Sequence, residues 1–262
     1  MMMLRPAIVL VLSLLPFLAV ADVCEKTFRW TEDPPYTYSA TGAPQGVSGI
    51  SADTVRAVLG MMGCDVSFVE MPWARALAEL RIGRVDIVSG AFDTPERREF
   101  AHYAAQGSTS PNVLFMRAGD TVNTNILSFE DFLASGLSLG GQIGVNYGPE
   151  YAAAIESGVL DDRLVLVPDR TLLWQMLARG RVDAVAASYL TGLMEITRQG
   201  YGGQLLNTGI ELSSAPAFFI FSKSSVEEEF VSRFNEFHRM FIASEDYKVM
   251  VNTHTIDVQR AE

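Results

Sequence analysis

The sequence predicts an α/β protein of two similar lobes, with mainly parallel sheets joined by a two-stranded hinge. Three observations carry that expectation. Strand-like and helix-like runs alternate along the chain, as in successive βαβ units. The segment Leu80-Arg-Ile-Gly-Arg-Val-Asp-Ile-Val88 recurs as Leu177-Ala-Arg-Gly-Arg-Val-Asp-Ala-Val185, identical at six positions of nine. Two short apolar runs, 112–116 and 217–221, stand where a chain would leave one lobe and return to it.

The elements follow in order. Residues 23–30 read as a strand, and 51–62 as a helix with Val55, Val58, Leu59 and Met62 on one face. Ser51 is the expected N-cap, Asp53 suits the first turn, and Gly63 suits the left-handed position that ends a helix. A strand at 64–69, a helix at 73–81 and a buried strand at 85–88 complete the first set. The second set has strands at 142–145 and 164–167, with helices at 150–157 and 171–178. Residues 225–242 form an amphipathic helix, with Val226, Phe230, Phe234, Phe237 and Phe241 stepping by three or four; it should pack on the first lobe. The expected organisation is a leader at 1–21, the first part of lobe 1 at 22–116, lobe 2 at 117–215, and a return at 216–262 that completes lobe 1.

Composition narrows the class. Of 262 residues, 48% are hydrophobic and 19% charged, which excludes a disordered chain. Twenty Lys and Arg against 31 Asp and Glu give a net charge of −11, contrary to nucleic-acid binding. Arg5, the apolar stretch 7–20 and Ala19-Val20-Ala21 read as a secretory leader cleaved after Ala21. That stretch is shorter than the roughly 20 residues a bilayer span needs. In an exported chain the two cysteines, Cys24 and Cys64, should form a disulfide, because the amino ends of two strands in a right-handed βαβ unit lie side by side.

In open α/β sheets, ligands lie beyond the carboxyl ends of the strands. In the first lobe those ends carry Tyr36 and Trp73 as aromatic walls, Asp33 as an acid and Arg97 as a cation, a set suited to a small carboxylate. Each has a plainer reading. Trp73 could be core and Tyr36 a staple after Pro34-Pro35. Arg97 could belong with Arg98 to a solvated helix start, Asp33 could be surface charge, and Glu150 could simply favour a helix N-terminus. No GxSxG, HExxH or P-loop occurs, and His102, His238 and His254 make no ligand spacing. No metal or cofactor is expected.

The motifs Asp33-Pro-Pro-Tyr36, Gly49-Ile-Ser-Ala-Asp53, Pro72-Trp-Ala-Arg-Ala-Leu77, Gly83-Arg-Val-Asp86, Thr94-Pro-Glu-Arg97 and Gly144-Val-Asn-Tyr-Gly148, in this order after a leader, resemble the periplasmic solute-binding proteins of ABC transporters, polar amino-acid class. The resemblance spans essentially the whole mature chain. It implies two α/β lobes closing on a solute, an inner-membrane ABC permease as partner, a monomer and a periplasmic location. It makes Arg97 the clamp for an α-carboxylate and puts Tyr36 and Trp73 against the ligand's side chain. Asp33 falls where members that bind basic amino acids place an acid, and Ser89 and Gly90 where main-chain groups face the ligand. Asn146, in the Gly144–Gly148 motif, joins the expected site. Three positions depart from the family: Phe92 replaces a hydroxyl residue, Pro149 replaces Thr or Ser, and Ser188 replaces the Asp that pairs with the α-ammonium. Either Asp33 or Glu150 takes over that pairing, or the solute is not a standard α-amino acid. Two rival readings remain: a dehydratase- or lyase-like enzyme with Glu150 as its acid, and a soluble sensing partner of a membrane receptor.

Overall fold

The computed structural model describes residues 24–108, 110–121 and 126–259, so the expected leader lies outside the described residues. Lobe 1 begins with β1 (Glu25–Trp30), the small ribbon β2 (Tyr38–Ser39) and β3 (Val47–Ser48), α1 (Ile50–Met61) and β4 (Asp65–Glu70). It continues through α2 (Trp73–Arg81), β5 (Ile87–Phe92), α3 (Pro95–Phe100) and β6 (Ala101–Tyr103). Lobe 2 holds β7 (Asn112–Arg117), α4 (Ala118–Thr121), α5 (Phe129–Ala134), β8 (Leu139–Gln142) and α6 (Pro149–Glu156). It then runs through β9 (Leu164–Val167), α7 (Arg170–Ala178), β10 (Ala184–Ser188), α8 (Tyr189–Arg198) and β11 (Leu205–Ser213). The chain returns to lobe 1 as β12 (Ala217–Ser222), α9 (Glu228–Ile242) and α10 (Glu245–Gln259).

The two five-stranded sheets share one plan. Lobe 1 has the order β4-β1-β5-β12-β6 and lobe 2 the order β9-β8-β10-β7-β11. In each, the first three strands are parallel and the fourth runs antiparallel. That fourth strand is the one that arrives from the other lobe. The run 112–116, expected as the outgoing link, is therefore a central strand of the second sheet. The links themselves fall between β6 and β7 and between β11 and β12, where Ser108 pairs antiparallel with Ala217 at the start of β12.

The repeated segment has one job in both lobes. The Asp86 carboxylate accepts from the Thr27 backbone N–H at 2.7 Å and from its hydroxyl at 2.9 Å, while the Thr27 hydroxyl accepts from the Asp86 N–H. Asp183 does the same with Ser138, at 2.9 and 2.7 Å, again with the reciprocal bond. Each aspartate thus ties the start of one parallel strand to its neighbour. Because Asp86 is occupied this way, the β5 ladder starts at Ile87, later than the expected 85.

Other boundaries moved for local reasons. The cap of α1 is Gly49, not Ser51, and α6 opens on Gly148 at the corresponding place. Their φ angles are 123° and 140°, and a Cβ would lie 2.4 Å from the Tyr36 carbonyl oxygen or from the Ser213 Cβ. Only glycine fits such a position. Strand β8 lies three residues before the expected 142–145, because Leu139-Gly-Gly-Gln142 looks like a breaker. A Cβ on Gly140 would come within 2.9 Å of Leu173, so close packing asks for glycine inside this strand. The expected Cys24–Cys64 disulfide is present, with Cα atoms 4.6 Å apart. It staples the edge of a core in which Phe28, Val55, Leu59 and Phe221 meet Val231 and Phe234 of α9, which packs on lobe 1 as expected.

Candidate functional site

A cavity of about 120 Å³ lies between the lobes at the carboxyl ends of β1, β5, β8 and β10. Of the expected site residues, Asp33, Trp73, Ser89, Gly90, Phe92, Arg97, Asn146 and Ser188 line it. Tyr36 does not; it stands in an adjoining space of about 100 Å³ with its hydroxyl on Ser110 and Ser188. Glu150 is exposed on the first turn of α6 and lies outside both spaces, because the chain turns at Gly148-Pro149 and points that turn to solvent.

The adjacent arginines 97 and 98 separate completely. Arg98 is exposed and grips Asp93 through two bonds of 2.6 and 2.5 Å. Arg97 is 7% exposed and stacks 5.5 Å from the Trp73 ring. Its Nη1 donates to the Phe92 carbonyl at 3.0 Å, and among the described residues it forms no ion pair. Burial lowers its pKa from the usual guanidinium value. The short α3 sets this geometry, since the Thr94 cap accepts from the Arg97 N–H and turns the side chain inward.

Trp73 closes the site. Its Nε1 donates to the Gly144 carbonyl of lobe 2 at 3.0 Å. The second crossing bond runs from Arg170 of lobe 2, whose Nη2 donates to Asp33 at 2.7 Å. Arg170 is otherwise bound to Glu195 through Nε and Nη2 at 2.7 and 2.8 Å, and its Nη1 donates to Gln142 at 2.9 Å. Trp174 Nε1 also donates to Glu195, at 2.5 Å. Asp33 is thus a lobe-to-lobe contact as well as a wall of the cavity. At Ser188, where the resemblance implies a pairing acid, the hydroxyl meets Ser110 at 2.9 Å.

Two arginines of the site were not singled out by the sequence reading. Arg29 follows Phe28 in β1; period-two alternation puts Phe28 in the core, and Arg29 on the opposite face reaches the cavity. A charged residue inside a strand covered on both faces was the available signal. Arg170 sits at the start of α7, in a polar stretch that reads as an ordinary helix start. Nothing local distinguishes it from a solvated residue.

Two lobes of one plan, linked by two crossing segments and closed over an internal cavity, define a solute-binding architecture. The chain belongs to the bacterial extracellular solute-binding proteins, family 3, whose model matches residues 30–256. No curated protein matches the sequence. Among solved structures, a histidine kinase sensor domain with similarity to periplasmic binding proteins is 18% identical, with TM-score 0.74 over 89% of this chain and 96% of that one. The amino acid ABC transporter substrate-binding protein AbpA from Streptococcus pneumoniae, bound to L-arginine, is 17% identical, with TM-score 0.72 over 88% and 94%. The ancestral amino acid-binding protein AncCDT-1, a precursor of cyclohexadienyl dehydratase, is 18% identical, with TM-score 0.72 over 89% and 95%. At these identities the likeness is one of fold.

Proposed function

We propose that the chain is an exported, periplasmic binding protein that captures a small carboxylate-bearing solute by closure of its lobes and delivers it to an inner-membrane ABC permease. The observation that carries this reading is Arg97, a buried guanidinium with no carboxylate partner among the described residues, aimed at a cavity between the lobes. A buried charge is costly until it is paired. A solute carboxylate would pair it, and contacts to both lobes would favour the closed form over the open one. The Trp73–Gly144 and Arg170–Asp33 bonds are among the contacts such closure would make and opening would break. Family membership supports the same reading.

The enzyme alternative named Glu150 as its acid, and that residue is exposed outside the cavity. The binding reading is therefore preferred.

The test is calorimetry on the ligand-stripped mature chain against amino acids and small organic acids. A ligand at 100 times its Kd should stabilise the protein by about 2.7 kcal/mol. Arg97→Ala should weaken carboxylate binding by about 100-fold or more while the unfolding midpoint moves little. Undiminished affinity in Arg97→Ala would overturn the assignment.

A further inference from the structure

The cavity holds a second guanidinium with no ion pair among the described residues, and this narrows the solute; the inference rests on the reading of the cavity as a solute site. Arg29 is 7% exposed, as buried as Arg97. It comes from a different element, β1, and is anchored by a single bond from Nε to the Met71 carbonyl at 2.9 Å. Its guanidinium lies 5.6 Å from the Trp73 ring, so the one indole sits against both arginines. Like Arg97, it forms no ion pair among the described residues. A guanidinium carries five N–H donors, so most of the donors on both groups are unused.

The acids nearby make their direct bonds to other partners, and Asp33 acts on Arg29 only through its charge. Asp33 is held by Arg170 across the cleft, and Glu195 behind the wall by Arg170 and Trp174. Glu32 accepts the Ser39 backbone N–H. Ser188 presents only a hydroxyl, bonded to Ser110, where an ammonium would need an anion. Burial pushes the Arg29 pKa down to about 10, with the Arg170 charge adding to the fall and the Asp33 charge opposing it.

We infer that the solute is a small dicarboxylate, one carboxylate on Arg97 and the other on Arg29, with its carbon chain against Trp73. An α-ammonium is not required. Planar carboxylates match the free forks of both arginines, and the indole offers an apolar face between them.

The test is calorimetry of the ligand-stripped mature protein with succinate, glutarate and adipate, against butyrate and L-alanine. At least one dicarboxylate should bind about 100-fold more tightly than butyrate and L-alanine, the order expected for an added buried charge pair. Arg29→Gln, whose amide can still donate to Met71, should bring that ratio toward one. The unfolding midpoint of the ligand-free variant checks its fold, and should the variant fail to fold, the wild-type ratio decides the matter alone. Butyrate or L-alanine binding as tightly as every dicarboxylate would overturn the inference and leave the solute-site reading standing. So would a ratio unchanged in a folded Arg29→Gln. Absence of binding to all five probes would overturn the inference, while binding of another acid in the wider panel would preserve the solute-site reading.

Discussion

The two lobes are copies in plan and opposites in electrostatics. Asp86 with Thr27, and Asp183 with Ser138, make the same reciprocal bonds at matching places in the two sheets. Each lobe also brings a buried arginine to the cavity, but Arg170 in lobe 2 is saturated by Glu195, Gln142 and Asp33, whereas Arg97 in lobe 1 forms no ion pair among the described residues. Repetition therefore marks the scaffold. The proposed anion-binding parts of the site lie where the lobes differ. The lobes differ also in their reinforcement: lobe 1 carries the disulfide, and the described residues of lobe 2 contain no cysteine.

The sharpest way to break this comparison is to treat the two arginines alike. Arg170→Ala should destabilise the protein by about 3–5 kcal/mol, because it strands the Glu195 carboxylate in the interior. Adding Glu195→Leu should recover much of that loss. Denaturant unfolding measures both, and a stable Arg170→Ala single variant would show that the lobe-2 cluster is not structural.

Removing the disulfide in a Cys24→Ser/Cys64→Ser double variant should cost roughly 4 kcal/mol on the chain-entropy model, for a sequence separation of 40 residues. Native-state hydrogen exchange should register the loss mainly in lobe 1. Equal loss of protection in both lobes would mean that they unfold as one unit.

Acid should act through His238, which is 6% exposed among Phe219 and Phe234. Burial pushes its pKa from 6.5 down to about 4. Between those values the unfolded chain takes up a proton that the folded chain does not bind. Stability is therefore full above about pH 6.5 and falls as pH drops through the window, by about 2–3 kcal/mol from this group. Comparing wild type with His238→Leu at pH 7 and pH 4.5 isolates that share; an identical pH dependence in the variant would exclude His238 as its source.

The smallest effects concern the shared aspartates. Asp86→Ala and Asp183→Ala should each cost about 1–3 kcal/mol, since each leaves a backbone N–H and a hydroxyl without their acceptor. Similar losses in urea unfolding would support their equivalence. Asp183 is also held below the usual carboxylate range, by the Ser138 and Arg117 donors against the opposing effect of burial. Its contribution is present above the unfolded-state pKa and is lost as pH falls through the lower folded one.

Much of this was legible beforehand. The internal repeat announced two lobes, and the helix 73–81, the strand 164–167 and the disulfide matched expectation residue for residue. Arg97 and Trp73, which the motifs singled out, both line the cavity between the lobes. Tyr36 stands instead in the adjoining space with its hydroxyl on Ser110 and Ser188, and Glu150 lies on the turn that Gly148-Pro149 points outward. Arg170 was not singled out because an arginine at a helix start carries no local sign of its partner, whereas the charge of Arg29 inside a covered strand was a signal that was not used.

The sequence by itself determined the alternation of strand and helix, the doubled plan and the residue types available at the strand ends. Periodicity, helix stops and turn chemistry operate within a few residues, so a linear reading can recover them. Which charges are paired was settled only by the tertiary structure. Arg170 meets Glu195 across 25 positions and Asp33 across 137, while Arg29 and Arg97 come together on Trp73 from three separate elements. Charge pairing depends on distance and burial in space, and both are set by how the lobes pack and close.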